Sequence, residues 1–220
     1  MAEVIQNPPP PNLPLGTEQY ERRYQDQFAN VLRLYFNRLS NALSTLFNRL
    51  GGRYLNFPYA AIQRTTDKTF TANTATQITF DQNDYLNGCT NDGTDGIIVQ
   101  QAGIYNYQFS VQFANTDSQI HAAWVWLRVN GVDVPGTGSR WDITSKHGSS
   151  DGYVVAAANF YVELKTGDAV SMYAAVSQAY VPTVSTGVYM EAYAAQTVPF
   201  AIPAIPSVVA TLSFVSNLPT

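Results

Sequence analysis

From Ile104 to Phe113 the chain alternates without a break. Tyr105, Tyr107, Phe109, Val111 and Phe113 fall on one face of an extended strand, and Asn106, Gln108, Ser110 and Gln112 on the other. Period two over that length predicts a strand with one face on a core. The opposite face is polar yet uncharged, so it meets either plain solvent or a second surface. Strand-like stretches recur at about 60–64, 77–80, 97–100, 122–129, 153–164, 169–175, 188–194 and 208–215. Turn formers separate them: Asn91-Asp92-Gly93, Ala102-Gly103, Asn130-Gly131, Gly136 to Gly138 and Thr166-Gly167-Asp168. Asn130-Gly131, between WVWLRV and VDV, predicts a two-residue hairpin. Many short strands at regular spacing predict an all-β, two-sheet sandwich over residues 54–220.

The period changes upstream. Over residues 17–50 apolar positions recur with spacings of four and three: Phe28, Leu32, Tyr35, Leu39, Ala42 and Leu46. This predicts one amphipathic helix, with Thr17 as N-cap, Glu18 and Glu21 in the first turn, and Gly51-Gly52 as the stop. A second column, Phe36, Leu43 and Leu50, runs beside the seam, and Val31, Leu34 and Phe47 widen it. So wide a stripe is not stable alone in water. It packs either on its own domain or in a short coiled coil. The double glycine fences the helix from the β region, which favours the coiled coil, and the width favours three or more helices. Ahead of it, Pro8, Pro9, Pro10, Pro11 and Pro14 with Leu13 predict an extended polyproline-like arm, read here as an attachment peptide rather than a loose tail. The expected organisation is an arm at 1–16, a trimerising helix or stalk at 17–53 and a β-sandwich head at 54–220.

Composition narrows the function. Only 13% of the 220 residues are charged, against 45% hydrophobic, where soluble domains average about 25% charged. A net charge of −4 and a pI near 5.0 give no footprint for nucleic acid. No apolar run approaches the ~20 residues of a membrane span. The opening MAEVIQNPPPPNLPLG lacks the basic and apolar regions of a secretory signal, so folding in a cytoplasm is expected. Through Arg53 six basic residues face four acidic ones, so the negative charge concentrates in the head. A low-charge surface rich in Thr, Asn, Gln, Ser and Tyr suits an exposed extracellular or virion protein.

Candidate chemistry is sparse. His121 and His147 are the only histidines, and HGSSDG (His147 to Gly152) places His, Ser and Asp in one loop, whereas triads are assembled across a fold. It reads as a polar loop, and His121 as surface or interface packing. Asp81, Asp84, Asp92 and Asp95 make a calcium site in the Asp-rich loop 81–95 conceivable, but their spacing fits no EF-hand and Asx-rich loops usually make turns. Cys89, the single cysteine, permits no intrachain disulfide or cysteine zinc site and reads as an inert thiol. Trp124, Trp126 and Trp141 read as core or interface, with Trp124, Trp126 and Arg128 on one strand face. No enzyme and no cofactor are expected.

The ordered segments GIIVQQAGIYNYQFSV, AAWVWLRVNGVDV, NFYVELKTGDAVSMYAAV and SVVATLSFVS resemble the jelly-roll head shared by tumour necrosis factor ligands and the first complement component. The likeness spans nearly all of 62–216. It implies a TNF-like head that forms homotrimers, with first and last strands near the three-fold axis. The two ends, NPPPPNLPLGTEQYERRYQDQFANVLRLYFNRLSNALSTLF with YLNFPYAAIQ, and ATLSFVSNLP, instead resemble virion structural proteins of tailed bacteriophages. This implies a homotrimer on the exterior of a phage particle, held to other virion proteins of capsid, tail or neck by the arm, as capsid decoration or a short appendage. The alternative is a tail fibre whose head binds a host surface receptor or glycan.

Overall fold

The computed structural model describes residues 9–13, 21–47, 57–91, 93 and 96–218. The chain divides into two compact units, Met1–Asn56 and Phe57–Thr220. In the first, helix α1 runs Arg22–Phe47 with no glycine or proline inside it. The carbonyl of Glu21 accepts from the amides of Tyr24 (3.1 Å) and Gln25 (3.3 Å), opening the first turn. Thr17, Glu18, Pro8, Pro14, Leu50, Gly51 and Gly52 lie outside the described residues.

The second unit contains thirteen described strands. They are β1 (Tyr59–Arg64), β2 (Thr76–Ile78), β3 (Gln82–Asn87), β4 (Cys89–Asn91), β5 (Ile97–Val99), β6 (Gly103–Asn115) and β7 (His121–Val129), then β8 (Val132–Asp133), β9 (Ser139–Ile143), β10 (Gly152–Leu164), β11 (Ala169–Val176), β12 (Val188–Met190) and β13 (Val208–Ser216). One sheet has the order β10-β6-β13-β1-β3, with β12 on the end of β6. The other has β4-β5-β11-β7-β8, with β2 on β11 and β9 on β7. Every strand ladder is antiparallel. The chain changes sheet at β1–β2, β2–β3, β3–β4, β5–β6, β6–β7, β9–β10, β10–β11 and β11–β12, and the last strand enters the first sheet between β1 and β6. That is a jelly-roll sandwich.

The alternation of β6 decides what fills it. Tyr105, Tyr107, Phe109, Val111 and Phe113 are all at most 4% exposed and share one buried cluster with Val125, Leu127, Met172 and Ala174 of the second sheet. Burying a Phe-sized side chain contributes about 1.5–3 kcal/mol, so this strand anchors the core. Tyr105 donates its hydroxyl to the carbonyl of Gln101 at 2.7 Å. Deeper in, the Tyr107 hydroxyl is buried with no hydrogen-bond partner among the described residues.

The turn after β7 follows its residues. Asn130 and Gly131 have φ of 51° and 80°, the pair of positive values a type I′ hairpin needs. Gly152 opens β10 because a Cβ there would lie 1.8 Å from the carbonyl oxygen of Thr144.

Three strands depart from the sequence expectation: β3, β4 and β9 occupy stretches read as turns or loop, whereas β8 is the expected far arm of the hairpin. Cys89 accordingly sits in a strand, 5% exposed, and not in a loop. The strand expected at 188–194 stops at Met190. Beyond it the chain leaves the sheet and doubles back, with Tyr193 bridged to Ile205 and Gln196 to Ile202 before β13 begins.

Candidate functional site

The outer face of the first sheet is where the charge-free side of β6 lies. The register sets Tyr161, Asn106, Ser213, Tyr59 and Asn87 in one row across five strands, and Asn159, Gln108, Thr211, Ala61 and Tyr85 in the next. Tyr161 and Tyr85 are 68% and 69% exposed, and Tyr59, Tyr153 and Val155 are also open. The described charges on this face stand at its margins, Glu163 on β10 and Asp84 on β3. Asp84 is drawn in by Gln63 Nε2 (2.8 Å) and Gln82 Nε2 (2.9 Å). A shallow depression of about 210 Å³ sits at its centre, between Gln108, Phe109, Ser110, Val209 and Thr211.

β10 closes this sheet as its edge, thirteen residues long, with β6 as its only strand partner among the described residues. A long edge strand with so little charge is a template for further contact unless something covers it. The face and its edge together form one low-charge surface.

The outer face of the second sheet has the opposite character. Trp124, Trp126 and Arg128 share it, as their spacing predicts, and cross-strand neighbours pair with them. Arg128 lies 4.0 Å from the ring centroid of Tyr173, and Arg140 lies 5.7 Å from that of Trp124. Asp133 Oδ1 accepts from Trp126 Nε1 at 2.7 Å and Arg128 Nε at 2.6 Å, while Asp142 takes Arg140 at 2.8 Å. The first of these pairings raises the pKa of Arg128 and lowers that of Asp133, chiefly through the shared hydrogen bond. Trp141 points the other way, into the core against Phe109.

The described residues considered for chemistry make contacts within the fold. His121 Nε2 lies 2.9 Å from Asp117 Oδ2, at the bend between β6 and β7. Buried Asn115 ties that bend, donating to the carbonyls of Gln119 and Thr144 at 2.8 and 3.0 Å and accepting from the Asp117 amide at 3.0 Å. His147 closes a tight turn with Ser150 through paired backbone bonds, and Lys146 pairs with Asp151. Asp81 accepts from the Thr65 amide at 2.8 Å and from the hydroxyls of Thr65 and Thr66. It thus staples β1 to the start of β3. Asp92 and Asp95 lie outside the described residues, and no group of three or more metal-binding side chains is present among the described ones. Burial pushes the Cys89 thiol up to about 11, so at neutral pH it is not the reactive thiolate.

In the first unit Phe28, Leu32, Tyr35, Leu39 and Ala42 are half-buried along one line of α1, while Phe36 and Leu43 on its flank are 58% and 42% exposed. Leu46 lies in the helix, its side chain outside the described ones. On the opposite flank, Pro9, Pro10, Pro11 and Asn12 line a depression with Val31, Leu34, Tyr35 and Arg38. Pro11 is half-buried there, and Leu13 is 41% exposed.

Sequence reading missed the excursion between β12 and β13. Val198 and Phe200 at its tip are 78% and 65% exposed. The available signal was charge: from Ala192 to Thr220 there is no charged residue, and Pro199, Pro203 and Pro206 punctuate the run.

No protein-family profile and no curated protein matches this chain. Among solved structures it is similar to the globular domain of the zebrafish complement 1qA protein, at 11% identity and a TM-score of 0.43, over 73% of this chain and 99% of that one.

Proposed function

We propose that this chain is a non-enzymatic, homotrimeric surface protein of a phage particle, serving as capsid decoration or a short appendage. The observation that carries the assembly is the contrast between the two outer faces of the sandwich. The second sheet faces outward with Arg128, Asp133, Arg140 and Asp142, the dress of a solvent-facing surface. The first offers tyrosines, amides and hydroxyls and ends in the uncovered edge of β10. Interface cores are depleted in charge and enriched in aromatic residues, so the first face is the one that packs on other copies.

In this reading the seam Phe28, Leu32, Tyr35, Leu39, Ala42 and Leu46 of α1 holds three chains together. The arm, Pro8, Pro9, Pro10, Pro11, Leu13 and Pro14, attaches them to the particle. Three weak arm contacts joined in one trimer bind with avidity, because the second and third are intramolecular. The virion assignment rests on the likeness of both chain ends to tailed-phage structural proteins. The test is a particle carrying a chain that lacks residues 1–16. The purified variant is expected to remain trimeric by light scattering and to be lost from particles; normal incorporation sinks the attachment role.

A second reading, host recognition by a tail fibre, is favoured by one feature. Trp124, Trp126 and Asp133 line an open depression of about 460 Å³ on the second sheet, floored by Ala175, with aromatic faces and a carboxylate suited to a glycan. Competition by purified trimers in adsorption, with a few to tens of copies per particle rather than hundreds, would select this reading.

A further inference from the structure

We infer that residues 192–206 form a docking finger whose Val198–Phe200 tip seats on the outer face of the first sheet of a second copy. The inference rests on the homotrimer reading above and adds to it a specific intersubunit contact.

The finger is built to keep its shape. Tyr193 and Ile205 exchange both backbone hydrogen bonds at 2.8 Å, and Gln196 and Ile202 exchange both at 3.0 Å. Pro199, Pro203 and Pro206 fix φ at three further positions. An element already ordered before it binds loses little freedom on docking.

Its base tells which way it leaves the sandwich. Tyr193 packs against Tyr153 on β10, ring centroids 6.3 Å apart. Tyr153 belongs to the outward set of β10, with Val155 and Tyr161. The finger therefore departs on the outer-face side of the first sheet. Glu191, the last charged residue of the chain, takes the hydroxyls of Tyr189 (2.9 Å) and Tyr193 (2.5 Å) at that base.

Beyond the base all is uncharged, and residues 194–201 are exposed without interruption. Val198 and Phe200 are left open by the described residues of the head, and a second copy offers a low-charge face to receive them. The charged face of the second sheet is a poor host, since an apolar tip there would strip water from Arg128, Asp133, Arg140 and Asp142 without pairing them. The first face matches in polarity and offers the central depression beside Phe109, Val209 and Thr211. A finger meeting a sheet is a contact between unlike patches, which closes into a ring when the rotation closes and runs into an open filament when it does not. The homotrimer supplies that closure.

The experiment places a photoreactive benzophenone side chain at position 200 of the full chain, in oligomers assembled from isotopically light and heavy copies. After illumination, mass spectrometry maps each adduct and mixed labels report whether it joins two chains. The expected result is interchain adducts on outward residues of β6, β10 or β13. Adducts confined to one chain, or to the second sheet, or none at all, in a preparation of trimeric mass, overturn the finger and leave the trimer standing. A monomeric mass overturns both.

Discussion

The guanidinium of Arg128 lies 4.0 Å from the ring centroid of Tyr173 while its Nε donates to Asp133 at 2.6 Å. One side chain therefore ties β11, β7 and β8 across the outer surface of the second sheet. The planar group both stacks and donates at fixed angles, which an ammonium does not reproduce. Arg128→Ala is expected to lower stability by about 1 kcal/mol, from the lost cation–π contact. Arg128→Lys is expected to recover less than half of that. Urea denaturation of the three proteins checks it, and full rescue by lysine would refute the stacking account.

Burial raises the pKa of the Tyr107 hydroxyl far beyond the ordinary phenol range, and the hydroxyl has no partner among the described residues. An unpaired buried hydroxyl costs about 1–3 kcal/mol. Tyr107→Phe removes it with little change of shape, so the variant is expected to be more stable than the parent by about 1 kcal/mol. A loss of stability in thermal denaturation would mean that the hydroxyl is satisfied.

Cys89 is 5% exposed and its thiol is pushed up to about 11 by desolvation. Both protect it, one by access and one by withholding the thiolate. At pH 7.5 a maleimide is expected to label the native protein far more slowly than the urea-unfolded chain. Equal rates would place Cys89 at the surface.

The carboxyl of Asp117 is held below its ordinary pKa, first by the hydrogen bond from His121. A depressed folded-state value stabilises the fold above the unfolded carboxyl pKa, about 3.9, and that stabilisation is lost as pH falls through the folded value. The pair lies near the surface, so the effect stays under about 1 kcal/mol. Asp117→Asn is expected to flatten the acid limb of a stability profile between pH 5 and pH 2. An unchanged limb would show that the bond carries no linkage.

On the helix, Leu32 and Leu39 share the half-buried line of α1. Replacing both with Asp sets two charges in the proposed seam, a position where they cannot be solvated. The trimer is expected to dissociate, with the mass falling to about one third by light scattering and the β-sheet circular dichroism of the head retained. An undiminished mass would assign trimerisation to the head alone.

Sequence pattern reached the long elements and stopped at the short ones, for a physical reason. β6, β7 and β10 each bury one face over nine to thirteen residues, so alternation accumulates enough repeats to read. β3 has no buried side chain along Gln82–Asn87, and without a core face no period arises. β9 turns Arg140 and Asp142 outward and buries Ile143 alone, too few repeats to distinguish from a loop. β4 is three residues long, and its pairing with β5 comes from a neighbour rather than from its own pattern. The two outer faces differ for a similar reason. Residue types along β6 show an uncharged side, but that Tyr161, Ser213, Tyr59 and Asn87 join Asn106 in one row is a matter of register. Register spans strands more than a hundred residues apart.

Strand β13 is the last to be synthesised, yet it lies between β1 and β6, with eight residue pairs to β6 and six to β1. Until Val208–Ser216 leaves the ribosome, the first sheet consists of two fragments with no bond between them. The first sheet therefore becomes continuous only when Val208–Ser216 inserts between β1 and β6. Contacts so distant along the chain make that closure slow.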